Sequence, residues 1–408
     1  MKPEDVESSD FGRVLWDEDG DYWWFDPAAL PREIVLDNET QLALSEADTA
    51  LGRLSGVGGT LREPRLLMRP YAVREALASA RIEGTQAKLS DVFQAQASDR
   101  GPRDRDLAEV TAHIAALEAG LNLAEERLDF DTLRRVHTIL MSQHGGGKEP
   151  GELRTVPVWL GSPTDRPETA VFVPPVGQAM TDALASWSEF LAKPPRLPAL
   201  IRAAMLHYQF LTVHPFIDGN GRVGRMLILL FLRHENKLSV PLLYVSPYFA
   251  AKRREYFDRL QAVREKGELQ QWLQFFLTAV ASQAEDGVLR ARELLDLRER
   301  YRTELSSSRS RATEVVETLF TNPVITTALI RKNLGVTTQG ALNLIRSLES
   351  RGWLSPVGTS GRGAATQWLA KDVFAIVGRD EEPTISGLPR SARELLPAWW
   401  RNTWSSSG

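Results

Sequence analysis

The sequence predicts a mainly α-helical protein: one helical core interrupted by a β-hairpin, followed by a small C-terminal module of helices and two strands. Three observations lead there. Apolar residues recur at helical spacing over 40–97 and, apart from one interruption, over 107–281. The interruption consists of two short β-rich runs, 150–161 and 168–175, on either side of the Pro-containing stretch 162–167, and reads as a hairpin. Downstream, a charged helix over 288–304 leads into Ser306-Ser-Ser-Arg-Ser310, a linker composition, before a second set of elements begins. The chain is therefore divided into an acidic, mobile N-terminal segment (1–20), a helical N-terminal region (21–104), a core (105–285), a helix and linker (286–310), the small module (311–378) and a tail (379–408).

Each element has a local reason. Tyr22-Trp-Trp-Phe-Asp26 starts the first packed segment. A helix is expected over 71–83, with Pro70 near its first turn and Gly84 as its stop. Two or three amphipathic helices surround the hairpin, 226–232 is a buried helix, and Tyr244-Val-Ser-Pro opens a further one that includes Tyr256 and Phe257. In the last module, 315–320 and 326–334 read as helices. A third spans 337–351, with Leu342, Ile345 and Leu348 on its inner face. Strands at 353–357 and 366–369 flank a turn at 358–363, and three helices with such a β-wing describe a winged helix-turn-helix. Its third helix turns Thr337, Thr338, Gln339, Asn343 and Arg346 outward, and the wing offers Arg362, side chains suited to DNA. Basic charge is thin for that purpose, and such modules also dimerise or dock proteins, so DNA, a partner protein and a homodimer all stand as expectations. The role of the tail, with Trp399, Trp400 and Trp404, is not readable.

Composition narrows the chemistry. With 408 residues, 43% of them hydrophobic, the chain can bury a sizeable core. It has no cysteine, which excludes disulfides, thiolate metal sites and a cysteine nucleophile. A net charge of −4 does not single out a partner. Without a signal-peptide pattern or an apolar stretch of membrane-spanning length, the expectation is a soluble, cytoplasmic protein with no membrane partner. His113, His137, His144, His207 and His234 are scattered singly, without metal-ligand spacing, and are assigned no chemistry.

Chemistry concentrates in His214-Pro-Phe-Ile-Asp-Gly-Asn-Gly-Arg-Val-Gly-Arg225. This string immediately precedes the apolar run 226–232, so it sits at a helix N-terminus, where unpaired amides and the macrodipole favour phosphate. Gly219 and Gly221 admit close approach of backbone to oxygen, and Gly219-Asn220-Gly221 can form an amide nest to which Asn220 adds a side-chain donor. Arg222 and Arg225, three apart, can fork onto phosphoryl oxygens further along a polyphosphate. Asp218 can hold Mg²⁺ together with substrate phosphates. His214, with an ordinary pKa near 6.5, suits a general base for an incoming hydroxyl. Nucleotidyl or phosphoryl transfer is the expected reaction, and no Walker A string is present as an alternative phosphate loop.

This string resembles the signature of the Fic family, His-x-Phe-x-(Asp/Glu)-Gly-Asn-Gly-Arg-x-x-Arg, at every specified position. The resemblance implies the Fic helical fold with a β-hairpin flap and a protein adenylyltransferase that moves AMP from ATP to a Tyr, Thr or Ser hydroxyl of a target protein. His214 would be the base, Asp218 the Mg²⁺ ligand, and Gly219, Asn220 and Gly221 the α-phosphate cradle. Arg222 and Arg225 would take the outer phosphates, and Phe216 would anchor the loop's underside.

Upstream, Ser79-Ala-Arg-Ile-Glu83-Gly84 resembles the family's inhibitory motif, (Ser/Thr)-x-x-x-Glu-(Gly/Asn), in the class that carries it N-terminal to the core. Glu83 can pair with Arg225 and remove the fork that would seat the γ-phosphate. The strip 150–161 with 168–175 resembles the flap on which a target lies by β-augmentation, its Gly-x-x-Arg and closing Pro-Pro matching the family's spacing. Tyr256 would flank adenine, and Phe257 stands where the family commonly has Tyr. Two other activities remain open: a nucleotide-sensing transcription regulator and a hydrolase that removes AMP from modified proteins. Donors such as UTP or CDP-choline also share the phosphate chemistry.

Overall fold

The computed structural model describes residues 2–8, 10–18, 20–60, 63–98, 104–142, 149–161, 166–306, 310–357 and 366–379. In chain order it has a 3₁₀ turn (Pro3–Asp5), strands β1 (Gly12–Asp17) and β2 (Tyr22–Pro27), then helices α1 (Asn38–Thr60), α2 (Arg65–Ile82), α3 (Leu89–Ala97), α4 (Arg105–Glu126) and α5 (Phe130–Met141). There follow α6 (Gly177–Ala192), α7 (Ala199–Val213), α8 (Asn220–His234), α9 (Ser246–Ala251), α10 (Arg253–Lys266) and α11 (Leu269–Leu305). The chain continues through α12 (Ala312–Thr321), β3 (Val324–Thr326), α13 (Thr327–Leu334), α14 (Thr338–Glu349), β4 (Leu354–Val357), β5 (Gln367–Ala370) and α15 (Lys371–Val377). The mainly helical class expected from the sequence is what the chain adopts. No helix among the described residues is long and apolar enough to cross a membrane.

The structure divides into two compact units. The first comprises residues 1–59, 78–83 and 112–285. Its centre is α7, in which all fifteen residues are buried, the polar Arg202, His207, Gln209 and Thr212 among them each hydrogen-bonded. Trp187 and Trp272 close over it and donate their indole N–H groups to the carbonyls of Leu206 and Ala204 at 3.0 and 3.1 Å. α8 packs on α7 at close range. A Cβ on Gly224 would lie 2.9 Å from Leu211 Cδ2, so a larger residue would force the Leu211 side chain to shift.

Several sequence expectations are corrected in this unit. Residues 1–20 are not a wholly mobile segment: β1 pairs antiparallel with β2 from Gly12↔Pro27 to Asp17↔Tyr22, and the Glu7 N–H donates to the Glu265 carbonyl at 2.6 Å. The Asp19-Gly20 turn signal, with the strand formers Val14 and Trp16 before it and Tyr22 to Phe25 after it, accounts for the hairpin. The expected hairpin over 150–161 and 168–175 is reduced to one antiparallel bridge, Leu160↔Phe172. Pro157, Pro174 and Pro175 lack amide donors, and the Val173 carbonyl is taken by the Phe25 N–H at 2.9 Å, so the ladder cannot extend. The turn assigned to 162–167 lies mostly outside the described residues, as does His144. The helix expected from Tyr71 begins earlier, at Arg65, with Pro70 inside α2.

The second unit comprises residues 60–77, 84–111 and 286–408, of which 380–408 lie outside the described residues. β3, β5 and β4 form an antiparallel sheet in that order, with Val324↔Leu369 and Ser355↔Leu369 in register. β3 and α15 are additions to the sequence reading. Thr326, expected to open a helix, ends β3 and caps α13, its Oγ1 accepting from the Leu329 N–H at 3.0 Å. α3 abuts this sheet: Asn322 donates to the Phe93 carbonyl and Thr326 to the Ala97 carbonyl, both at 3.1 Å. On α14, Ile345 and Leu348 are fully buried, while Thr337, Thr338, Gln339, Asn343 and Arg346 are exposed, as the helical spacing requires. The boundary expected at 285/286 coincides with the division between the two units, although α11 runs unbroken through it. The wing turn with Arg362, linker residues 307–309 and the tail tryptophans lie outside the described residues.

Candidate active site

α7 ends at His214, which adopts the left-handed conformation (φ 51°) with its N–H bonded to the Phe210 carbonyl at 2.9 Å. Such a backbone turn is uncommon for a non-glycine residue and needs support. Arg154 supplies it. Its Nε donates to the His214 carbonyl at 2.7 Å, and its Nη atoms donate to the carbonyls of Val156, Val213 and Pro175. The Arg154 N–H also reaches the Pro215 carbonyl at 3.0 Å. In the sequence this arginine figures only in a spacing match; its role depends on partners sixty residues away. Nothing in the local sequence could have revealed it.

The His214 Nδ1 lies 3.2 Å from the Leu211 carbonyl. A carbonyl only accepts, so Nδ1 carries the proton and Nε2 keeps a lone pair. Burial, followed by the Arg154 guanidinium, pushes the imidazole pKa down to about 4. The ring is therefore neutral at physiological pH, and it lines a cleft of ≈ 470 Å³ that also contains Glu83, Gly221, Arg225, Arg253 and Phe257.

The loop between α7 and α8 is braced from beneath. Asn220 accepts the Phe216 N–H at 2.9 Å and donates to the Phe216 carbonyl at 2.7 Å, and its residue is 1% exposed. The expected Asn220 side-chain donor to phosphate is therefore corrected: both ends of the amide are spent on the loop, and only the backbone N–H remains for a ligand. His137 stacks on Phe216 with ring centroids 3.8 Å apart and planes 4° apart. It accepts the Gly151 N–H at Nδ1, so its Nε2–H donates to the Asp218 carbonyl at 2.9 Å. His137 thus has a structural role in the site, which its isolated position in the sequence does not signal.

Gly219 caps α8 at φ 79° with no side-chain hydrogen bond to the first turn. A Cβ there would lie 3.2 Å from both His137 Cδ2 and Met141 Sδ, so conformation and space both call for glycine. The amides of Asn220 and Gly221 follow, in the first turn, where a helix has no internal acceptors. Asp218 precedes this cap, its side chain 37% exposed, with one oxygen accepting the Gly219 N–H at 2.6 Å and lying 3.6 Å from Arg222 Nη2. No group of three or more His, Cys, Asp or Glu that could hold a metal occurs among the described residues. One accessible carboxylate beside a phosphate-type seat nevertheless fits Mg²⁺, which takes its remaining ligands from water and phosphate.

The two arginines differ. Arg222 is buried against Met141, its Nη2 3.9 Å from the sulfur. Arg225, 2% exposed, is held by Ser79 and Glu83: Nε donates to Ser79 Oγ at 2.8 Å, and Nη2 to the Ser79 carbonyl at 3.0 Å and to Glu83 Oε1 at 2.6 Å. The same carboxylate lies over the helix start, since a Cβ on Gly221 would be 2.2 Å from Glu83 Oε1. A side-chain anion thus occupies the region where the amides and Arg225 converge. Gly84 follows at φ 107°.

Tyr256 lines the same cleft as His214 but is almost wholly buried, stacked on Phe249 at 4.5 Å, with its hydroxyl 2.8 Å from His207 Nε2. His207 Nδ1–H donates to the Gly224 carbonyl at 2.7 Å, so Nε2 accepts the tyrosine proton. The exposed aromatic at the cleft is Phe257, 39% exposed, with the Arg253 guanidinium 5.0 Å from its ring.

Comparison with known proteins matches three segments of the chain. Residues 41–122 match the family model for the Fic/DOC family N-terminal region, residues 127–232 that for the Fic/DOC family, and residues 313–368 an HTH DNA binding domain. The chain is similar to a protein adenylyltransferase fic-1 of Caenorhabditis briggsae, 25% identical over 177 residues, covering 41% of this chain and 33% of that protein. It is also similar to a protein adenylyltransferase Fic of Nematostella vectensis, 26% identical over 209 residues, covering 49% of this chain and 46% of the relative. The chain thus spans a third to under half of the length of these relatives. Its fold resembles the crystal structure of a Fic family protein from Desulfovibrio desulfuricans G20, with a TM-score of 0.53 at 20% identity over 84% of this chain and 98% of that one.

Proposed function

This chain is a Fic family protein with a C-terminal helix-turn-helix domain, and on that premise we propose that it is a protein adenylyltransferase transferring AMP from ATP to a Tyr, Thr or Ser hydroxyl of a target protein. The observation that carries this reading is the His214 tautomer, with Nδ1 committed to the Leu211 carbonyl and Nε2 left as acceptor in a cleft shared with the start of α8. Such a base takes the proton of an incoming hydroxyl as its oxygen attacks the α-phosphorus; the bond to the β-phosphate oxygen breaks and pyrophosphate leaves. The amides of Asn220 and Gly221 would hold the α-phosphate, and Arg222 and Arg225 the outer phosphates. Asp218 would hold Mg²⁺, which supplies charge neutralisation along the polyphosphate.

In this reading Glu83 is autoinhibitory. Its carboxylate lies over Gly221 and engages Arg225, supporting a resting state in which an internal anion takes the place of nucleotide phosphate. Purified full-length protein carrying Glu83→Gly, incubated with Mg²⁺ and ATP labelled at the α-phosphate, tests the proposal. Covalent label on the enzyme or on lysate proteins, lost with His214→Ala, supports it; bound ATP without covalent label refutes it.

The exposed polar face of α14 favours a second role, DNA binding by the helix-turn-helix domain. Gel-shift selection from a random duplex pool tests that role separately.

A further inference from the structure

We propose that the mouth of the cleft selects target segments in which the hydroxyl residue is flanked by large apolar side chains. This rests on the adenylyltransferase reading and names the substrate class that reading leaves open. Nine large hydrophobic residues are exposed among the described residues, and four of them, Val156 (50%), Trp159 (41%), Val171 (56%) and Ile217 (42%), belong to the strip and the loop around His214. The concentration is what matters, because a scattered exposed hydrophobe needs no explanation while a group at a reaction centre does.

Continuity with the cleft identifies the occupant. Leu160, Val171 and Phe172 line the same cavity as His214. The Leu160↔Phe172 bridge brings the two runs together; Phe172 is buried under the Arg264 guanidinium at 4.0 Å, while Trp159 and Val171 beside the bridge stay exposed. Arg154 grips both the Val156 and His214 carbonyls, so this apolar strip is held in register with the base. Ile217 lies three residues past the base on the same loop.

Charge supports the same occupant. Neither 155–161 nor 169–175 contains an ionisable residue. A target segment lying along these two runs meets Val156, Trp159 and Val171 there, so apolar flanks gain from the burial. The structure therefore points to an extended peptide segment with apolar flanks.

Full-length Glu83→Gly protein, labelled ATP and an equimolar pool of synthetic peptides provide the test. Each peptide carries a central Tyr, Thr or Ser and randomised residues at the two positions on either side; modified sites are read by mass spectrometry in the pool and in a lysate. Val, Leu, Ile, Phe and Trp should be enriched about tenfold over Asp, Glu and Lys at flanking positions. Trp159→Asp should shift the enrichment toward Lys and Arg. Labelled sites without apolar enrichment, or a profile unchanged by Trp159→Asp, overturn this inference while leaving the enzymatic reading intact. Absence of covalent label on enzyme, peptides and lysate alike overturns the enzymatic reading and this inference with it.

Discussion

Two helix starts in this molecule solve the same problem differently. α14 caps itself: Thr337 Oγ1 accepts the Gly340 N–H at 3.1 Å, which satisfies a first-turn amide from within the chain. α8 begins at Gly219 with no side-chain cap, and the anion over its first turn, Glu83, comes from 142 residues before its partner Arg225. Local capping makes α14 an ordinary scaffold helix that presents side chains. The lack of it leaves the first turn of α8 to an anion from elsewhere in the chain, here the Glu83 carboxylate, as the proposed nucleotide site requires.

The sharpest break of that contrast would come at the base. On the Glu83→Gly background, His214→Ala should lower AMP transfer by about 10²–10⁴-fold while leaving ATP affinity nearly unchanged, measured by covalent label and by calorimetric titration. Equal loss of both would mean that the imidazole serves binding. Gly221→Ala comes next. Its Cβ would collide with Glu83 Oε1 yet also fill the amide cradle, so displacement of Glu83 should not activate, and transfer on the Glu83→Gly background should fall about 10²-fold.

Glu83→Gly alone should raise transfer by about tenfold to a hundredfold over the natural sequence, the usual range for a coupling between two states. Rates equal to wild type would make the Glu83–Arg225 pair a purely structural contact. Thr337→Ala should destabilise the C-terminal unit by about 1 kcal/mol in denaturant titration and leave AMP transfer unaltered, because α14 depends on its own cap. The smallest effect expected is that of pH. A base at about 4 is already deprotonated at pH 6, so kcat of Glu83→Gly should change less than about twofold from pH 6 to 8, with its acid limb near 4. An unperturbed histidine would instead produce a rise of about fourfold over that interval.

The candidate loop is legible in the sequence because its proposed chemistry is local. Twelve consecutive residues place the proposed base, the carboxylate, the glycines and both arginines on one turn and the helix that follows. The Glu83–Arg225 pair is legible only through the motif resemblance, since no periodicity links two residues so far apart. What escapes is side-chain direction. Asn220 carries two donors and an acceptor, and the sequence cannot tell whether they face a ligand or the Phe216 backbone beneath. Tyr256 and Phe257 are adjacent, and one helical step of about 100° decides which is core and which is exposed. The N-terminal hairpin escapes because acidic composition outweighs a single Asp-Gly turn signal. The flap is overdrawn because its prolines read as turn residues, whereas in the fold they limit pairing.

Arg154 fastens the carbonyls of Val156 and Pro175 to those of Val213 and His214, which ties both ends of the intervening strip to the turn that carries the imidazole. For anyone redesigning selectivity, the graft points are thereby defined: a foreign recognition segment joined after Val156 and before Pro175 inherits its alignment to the imidazole, whereas a cut outside those two residues discards it.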